Sequence, residues 1–321
     1  MSAFLSVVLF FAGIGLLWGG TEMVLRRVPR LAECLRVSPL VVTALLLAVM
    51  TSLPEFCVSC LASMRGQAAA AVSNIVGSNF VTLTFVAGLC ALWRPIVVGD
   101  SIRERESGWM ILAASLALVL AMDGRLSRLD GVVLVLAYTP YFCGTLADAR
   151  RQRREAGGEG DAAATARFGL LDALLFAGGV GMVVYGADLI VEYGGRLALR
   201  MGMNETLMGA TLYSFGTSLP ELAIALGAVI RRQSDVTLGE IYASNIFTGL
   251  VVLGALAAIS PLEVAPLIVR RDLPLLVFAG VLMQMFVSSG NRFVRSEALA
   301  IIAVYGLFLA AQFANVPLSL P

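Results

Sequence analysis

The sequence predicts an all-α polytopic membrane protein of about ten transmembrane helices, arranged as two inverted five-helix repeats. Three observations carry that prediction: an apolar composition, apolar runs of bilayer length along the whole chain, and a motif that returns at a fixed offset. Of the 321 residues, 59% are hydrophobic and 14% charged, with a mean hydropathy of +0.87, well outside the usual range for a soluble domain.

Crossing ~30 Å of hydrocarbon takes about 20 apolar residues per helix. Such runs are predicted at 3–25, 38–63, 69–93, 107–122, 130–147, 169–195, 205–230, 238–259, 273–289 and 297–314. The fourth and ninth are short, which implies little tilt or a misplaced boundary. No basic residue precedes the first run, and Arg26 and Arg27 follow it, so it is expected to remain as a span and not to be cleaved as a signal peptide.

All 23 basic residues are arginine. Counted over alternate loops, 16 fall on the side that holds Arg26, Arg27, Arg103, Arg150 and Arg231, and 7 on the side that holds Arg65, Arg125, Arg196 and Arg270. By the positive-inside rule the arginine-rich side is cytoplasmic, and an even span count then puts both termini outside the cell membrane. An all-arginine, alanine-rich chain points to a prokaryotic inner membrane. The net charge of +1 indicates no nucleic-acid partner. The expected partners are the lipid bilayer and small cations, with no obligatory protein partner.

The motif is Thr51-Ser52-Leu53-Pro54-Glu55, which returns unchanged 166 residues later as Thr217-Ser218-Leu219-Pro220-Glu221. In the same gap-free register Ser78, Asn79 and Thr82 return as Ser244, Asn245 and Thr248, while Gly20, Glu22 and Val24 align with Gly186, Asp188 and Ile190. The predicted organisation is a first repeat at 1–147 with its motif region at 48–82, a flexible cytoplasmic linker at 148–168, and a second repeat at 169–321 with its motif region at 214–248. Five spans per half force the second half to enter the membrane from the opposite side. Inverted repeats of this kind place ion sites at the bilayer midplane, where interrupted helices meet.

Depth supports that placement. Glu55 stands ten residues before Arg65, or ~15 Å of helix, about half the hydrocarbon thickness. Ser78 returns to a similar depth, and Glu221, Arg231 and Ser244 repeat the spacings. A carboxylate at mid-bilayer costs roughly 2.5 to 3.5 kcal/mol even on the lenient insertion scale, so two at equivalent positions need a compensating charge. Pro54 and Pro220 lack an N–H, which deprives the Met50 and Gly216 carbonyls of their helical partners. Thr51 and Glu55, four apart, share a helix face, as do Thr217 and Glu221. With the Ser78 and Ser244 hydroxyls this makes an all-oxygen cluster suited to hard cations, and two ionised glutamates balance one calcium ion. The competing reading is a packing role for the kinks and serines, with both glutamates protonated.

Other features weigh less. Thr82 and Thr248 lie one turn past the serines and are candidate ligands, Asn79 and Asn245 are equally suited to interhelical hydrogen bonds, and Glu22 and Asp188 fall near span ends. Cys57 and Cys60 have redox-motif spacing without the required βαβ context, and the odd set of five cysteines (34, 57, 60, 90 and 143) forms no disulfide framework. The absence of histidine excludes imidazole metal sites and histidine triads. No cofactor motif and no phosphate-binding glycine loop is present, so no cofactor and no ATP use are expected.

The paired TSLPE segments, each followed by Gly77-Ser78-Asn79 or Ala243-Ser244-Asn245, resemble the two α-repeats of sodium/calcium exchangers in the cation/calcium exchanger superfamily. The resemblance covers nearly the whole chain. It implies a secondary antiporter in which calcium and sodium compete by alternating access, with Glu55, Glu221, Thr51 and Thr217 forming the calcium site. It implies sodium sites that add Ser52, Ser218, Ser78, Ser244 and the backbone oxygens of Ala48 and Ser214. The sequence departs from the family pattern at Met50, where glycine is usual, and at Thr82 and Thr248, where asparagine or aspartate is usual. Those two threonines leave proton-coupled cation exchange open as the alternative. An intramembrane enzyme using the glutamates as an acid/base pair is a remote third reading, since no nucleophile or cofactor motif accompanies them.

Overall fold

The computed structural model describes residues 3–27, 30, 47–100, 102–155, 169–290 and 292–314. Leucine, alanine and valine dominate, and the chain satisfies its backbone within helices as an apolar solvent requires. In order these are α1 (Ala3–Leu25), α2 (Leu47–Thr51), α3 (Leu53–Met64), α4 (Ala68–Trp93), α5 (Ser107–Leu120) and α6 (Arg128–Glu155). The second half has α7 (Leu170–Arg200), α8 (Glu205–Thr217), α9 (Leu219–Ile230), α10 (Ser234–Phe247, then Thr248–Val252 and Leu253–Ile259), α11 (Leu273–Ser289) and α12 (Arg295–Phe313). Among the described residues seven helices are long and apolar enough to cross a membrane, and α8 with α9, bent by 44° at their junction, makes an eighth.

The offset seen in the sequence is carried by the elements themselves. Leu53–Met64 and Leu219–Ile230 match end for end at 166 residues, as do Ala87–Trp93 and Leu253–Ile259. Four short strands repeat too and exchange between halves. β1 (Ile96–Val97) pairs antiparallel with β4 (Arg292–Phe293), and β2 (Arg125–Leu126) with β3 (Leu262–Glu263). Each half thus gives one strand to each ribbon, the pairing expected of two units related by a two-fold axis.

The two halves also bond to each other in the packed centre. The Asn79 amide nitrogen donates to the Asn245 carbonyl at 3.3 Å and the Asn245 amide nitrogen to the Thr82 hydroxyl at 2.8 Å. Helices α4 and α10 form the core and are almost wholly buried, whereas α1, α6 and α12 present broad apolar faces to the outside, as lipid-facing helices do. Helix α1 packs along α7 with backbones in near contact: a Cβ at Gly20 would stand 2.6 Å from the Gly179 carbonyl, and one at Gly186 would stand 2.7 Å from that of Gly13. Small residues let helices approach in this way.

The structure revises several boundaries. The predicted linker begins as helix, because α6 continues through Asp148 to Glu155; this arginine-, alanine- and glutamate-bearing stretch has high helix propensity. The remainder of the linker, Cys34 and the first part of the second predicted span lie outside the described residues. The short fourth and ninth spans are preceded by π-helical turns, Ile102–Glu106 and Ile268–Asp272, which lengthen them. The turn after α3 closes on Gly66 at φ +79°, and the equivalent turn after α9 closes on Arg232 at φ +64°, a left-handed conformation that costs a non-glycine residue roughly 1–2 kcal/mol.

Candidate functional site

Both motifs break a helix. Between α2 and α3 the chain leaves helical geometry at Ser52 (φ −80°, ψ 0°), and between α8 and α9 at Ser218 (φ −83°, ψ 3°). Pro54 and Pro220 therefore sit at the start of the second helix of each pair, where their missing N–H is tolerated. They do not kink a continuous helix. The Ala48 carbonyl accepts from the Ser52 amide and the Thr51 hydroxyl, each at 3.1 Å. The Ser214 carbonyl accepts from the Ser218 amide at 3.1 Å and the Thr217 hydroxyl at 3.3 Å.

All twelve sequence-predicted ligands, Ala48, Thr51, Ser52, Glu55, Ser78, Thr82, Ser214, Thr217, Ser218, Glu221, Ser244 and Thr248, are buried. The halves meet at the motifs. The Ser218 hydroxyl makes a long 3.5 Å bond to the Glu55 Oε1, and the Thr217 hydroxyl reaches the Asn74 Oδ1, also at 3.5 Å. One carboxylate oxygen of each motif glutamate, Oε2 of Glu55 and of Glu221, is buried without a hydrogen-bond partner, and so is the Ser52 hydroxyl. Buried polar atoms are nearly always partnered in folded proteins, and here oxygens at equivalent positions of both halves are left open.

Serine and threonine play two parts. The Ser78 and Ser244 hydroxyls donate to the Ile75 and Ile241 carbonyls at 3.1 and 3.2 Å, local bonds within their own helices. Thr82 and Thr248 lie in π-helical turns, Val81–Val86 and Thr248–Val252. Their hydroxyls donate to the Ser78 and Ser244 carbonyls at 2.9 and 2.8 Å, carbonyls that also accept from the backbone N–H groups of Val81 and Thr248. Thr82 also accepts from Asn245, and Thr248 donates to the Asn79 Oδ1. These threonines and the asparagines beside them knit the two halves together.

The other candidates stand apart. Glu22 pairs with Arg26 at 2.9 Å in an exposed contact, and Asp188 with Arg65 at 2.6 Å. Cys57 and Cys60 are half-buried free thiols.

The structure adds two residues that the motif reading did not include. Asn74 and Glu240 occupy the same register, one turn before Ser78 and Ser244, and both are buried. The Asn74 amide nitrogen donates to the Ser59 hydroxyl at 2.9 Å and reaches the Glu55 carbonyl at 3.5 Å. Glu240 lies on α10, which packs against α2 and α9, the helices that carry Thr51 and Glu221. A search for residues that return unchanged passes over a pair that differs. The available signal was a lone carboxylate inside the apolar run 238–259, the argument that singled out Glu55.

The sequence profile described as sodium/calcium exchanger protein matches residues 5–146 and 171–314. The chain belongs to the sodium/calcium exchanger family. Similar to this member are the inner membrane protein YrbG of Escherichia coli, 30% identical with 87% of each chain covered, and the sodium/calcium exchanger MaX1 of Methanosarcina acetivorans, 25% identical over 95% of this chain and 98% of that one. Solved structures of the sodium-calcium exchanger NCX_Mj superpose on this family member with a TM-score of 0.70 at 27% identity, covering 97% of this chain and 99% of the other. Family membership bears out the expected antiporter class over an intramembrane enzyme.

Proposed function

We propose that the protein is a secondary antiporter that exchanges calcium for sodium by alternating access, at a midplane site formed by Glu55 and Glu221 with Thr51, Thr217 and the serines beside them. The observation that carries this reading is the pair of equivalent buried glutamates, each with an open carboxylate oxygen, at helix breaks contributed by both halves. Two ionised carboxylates balance one divalent cation, and the surrounding hydroxyls and carbonyls supply neutral oxygens for smaller monovalent ions. Coupling follows from competition: one set of oxygens binds calcium or sodium, and a site holding uncompensated buried charge does not reorient.

The broken helices and exchanged strands support ten spans in two inverted halves, of which the second begins outside the described residues. The arginine asymmetry supports a cell-membrane orientation with both termini outside. Thr82 and Thr248 favour the second reading, proton-coupled cation exchange, because they replace an amide or carboxylate with a hydroxyl already engaged by the facing asparagine.

The test is calcium-45 uptake into proteoliposomes loaded with sodium, potassium or acid, for the wild type and Glu55→Gln. Sodium-dependent uptake that vanishes in the variant is the expected result. Uptake driven only by the acid load replaces sodium with protons as the coupling ion, and uptake undiminished in Glu55→Gln removes that glutamate from the mechanism.

A further inference from the structure

Glu240 is 4% exposed, and neither of its carboxylate oxygens has a hydrogen-bond partner. Its counterpart at the 166-residue offset, Asn74, has no such vacancy, because Ser59, Glu55 and Thr217 surround it with an acceptor for each donor and a donor for its oxygen. Carrying that surrounding into the second half turns Thr217 into Thr51, Glu55 into Glu221 and Ser59 into Ala225. The hydroxyl that an amide would use is gone where the carboxylate stands. Ala225 is fully buried, so nothing polar substitutes for that hydroxyl. The second half is therefore fitted to a charged residue that draws its compensation from something other than the protein.

The neighbours of Glu240 identify that compensation. Helix α10 packs against α2, which bears Ala48 and Thr51, and against α9, which bears Glu221. Ser244 lies four residues beyond Glu240 on the same helical face. The helices packed against α10 around Glu240 bring Thr51 on α2, Glu221 on α9 and Cys90 on α4 to this region. None of them is basic, so a third negative charge inside the apolar core lacks a protein counter-charge. A carboxylate in that position is expensive unless neutralised. Among the described residues no three acidic side chains are spaced to hold one metal ion. That spacing sets Glu240 to one side of the Glu55 and Glu221 pair.

Resting on the exchange reading above, in which the Ala48 carbonyl, the Thr51 hydroxyl and the Ser244 hydroxyl belong to one of the sodium positions beside calcium, we infer that Glu240 is an additional residue that gives formal charge to that one position. The mirror position around Asn74, Thr217, Ser214 and Ser78 has a neutral amide where this flank has a carboxylate. The two flanks of the site, equal by fold, are unequal by charge, and a sodium ion binds more tightly on the Glu240 flank. A hard monovalent cation with one carboxylate and several neutral oxygens is a balanced site.

The experiment is sodium-driven calcium-45 exchange in proteoliposomes of the full chain, titrated with sodium at fixed pH, alongside calcium–calcium exchange in the absence of sodium. The variants are Glu240→Gln, which keeps the shape, Glu240→Asp, which keeps the charge, and the double change Ala225→Ser with Glu240→Asn, which rebuilds the flank found around Asn74. Glu240→Gln is expected to keep calcium–calcium exchange. Its half-saturating sodium concentration should rise by about ten- to a hundredfold. The double variant should match it, and Glu240→Asp should recover part of the sodium affinity.

Unchanged sodium dependence in Glu240→Gln overturns the inference. Loss of calcium–calcium exchange in Glu240→Gln but not in Glu240→Asp makes Glu240 a calcium ligand and overturns it as well. An altered pH profile with unchanged sodium dependence assigns a proton to this carboxylate instead. A wild type without sodium-driven calcium flux refutes the exchange reading itself, before any variant is compared.

Discussion

Replacing Gly77 by alanine probes how closely the two halves fit at the site. A Cβ at this position would lie 2.9 Å from the Ser214 Cβ and 3.0 Å from both the Ala210 Cα and the Ser214 Oγ. Ordinary contact begins at 3.4 Å, so α4 and α8 must separate by about 0.5 Å, and one of the obstructing atoms is backbone that cannot rotate away. Overpacking of this kind costs about 1–3 kcal/mol, of which the better helix propensity of alanine returns up to about 1 kcal/mol. A net loss of about 1–2 kcal/mol follows. The equivalent pair in the other half is Ala243 and Ala48, a Cβ matched by a side chain without the hydroxyl. Gly77→Ala combined with Ser214→Ala recreates that composition and removes the Oγ contact while the Cβ and backbone contacts stay, so the double variant should regain about 0.5 kcal/mol over the sum of the single changes. Reversible unfolding in mixed detergent micelles measures the cycle. Gly77→Ala as stable as wild type, or strictly additive losses in the double variant, would refute the reasoning.

Three further outcomes are expected. Thr248→Val removes the bond to Asn79 that joins the halves and should cost about 0.6 to 1.7 kcal/mol in the same unfolding assay. Gly20→Val should destabilise by about 1–3 kcal/mol, because its Cβ would stand 2.6 Å from the Gly179 carbonyl, while Gly15→Val, with nothing within 4 Å, should be near neutral. Arg232→Gly, which relieves the left-handed backbone at φ +64°, should raise stability by about 1 kcal/mol; a fall would show that the arginine side chain makes an interaction worth more than the strain.

Repetition made much of the site readable from sequence. Thr51 to Glu55 and Thr217 to Glu221 are identical, and an apolar setting turns a repeated carboxylate into a chemical statement. The helix breaks followed from Pro54 and Pro220, although proline alone did not reveal that the chain parts at the preceding serine and leaves proline at a helix start. What was not readable depends on three-dimensional neighbours. The exchanged strands are two residues long, too short for an alternating pattern. The π-helical turns at Val81 and Thr248 coincide with threonine hydroxyls bonded to the carbonyls one turn back and to asparagines of the facing half, contacts that no local pattern announces. Glu240 was hidden for the opposite reason, since its meaning lies in its difference from Asn74, and only the positions of Ser59 and Ala225 make that difference interpretable.

The inequality of Asn74 and Glu240 bears on ancestry. Two copies of a single half, meeting as a dimer with opposite orientations, would carry the same residue on both flanks, and any substitution would strike both at once. Joining the copies in one gene frees each flank to vary alone. The pairs Gly77 with Ser214 and Ala243 with Ala48 have drifted in the same compensated way, each side keeping its own fit. Duplication and fusion supplied a symmetric scaffold, and the departures from symmetry record what a fused chain can become that a dimer of identical halves cannot.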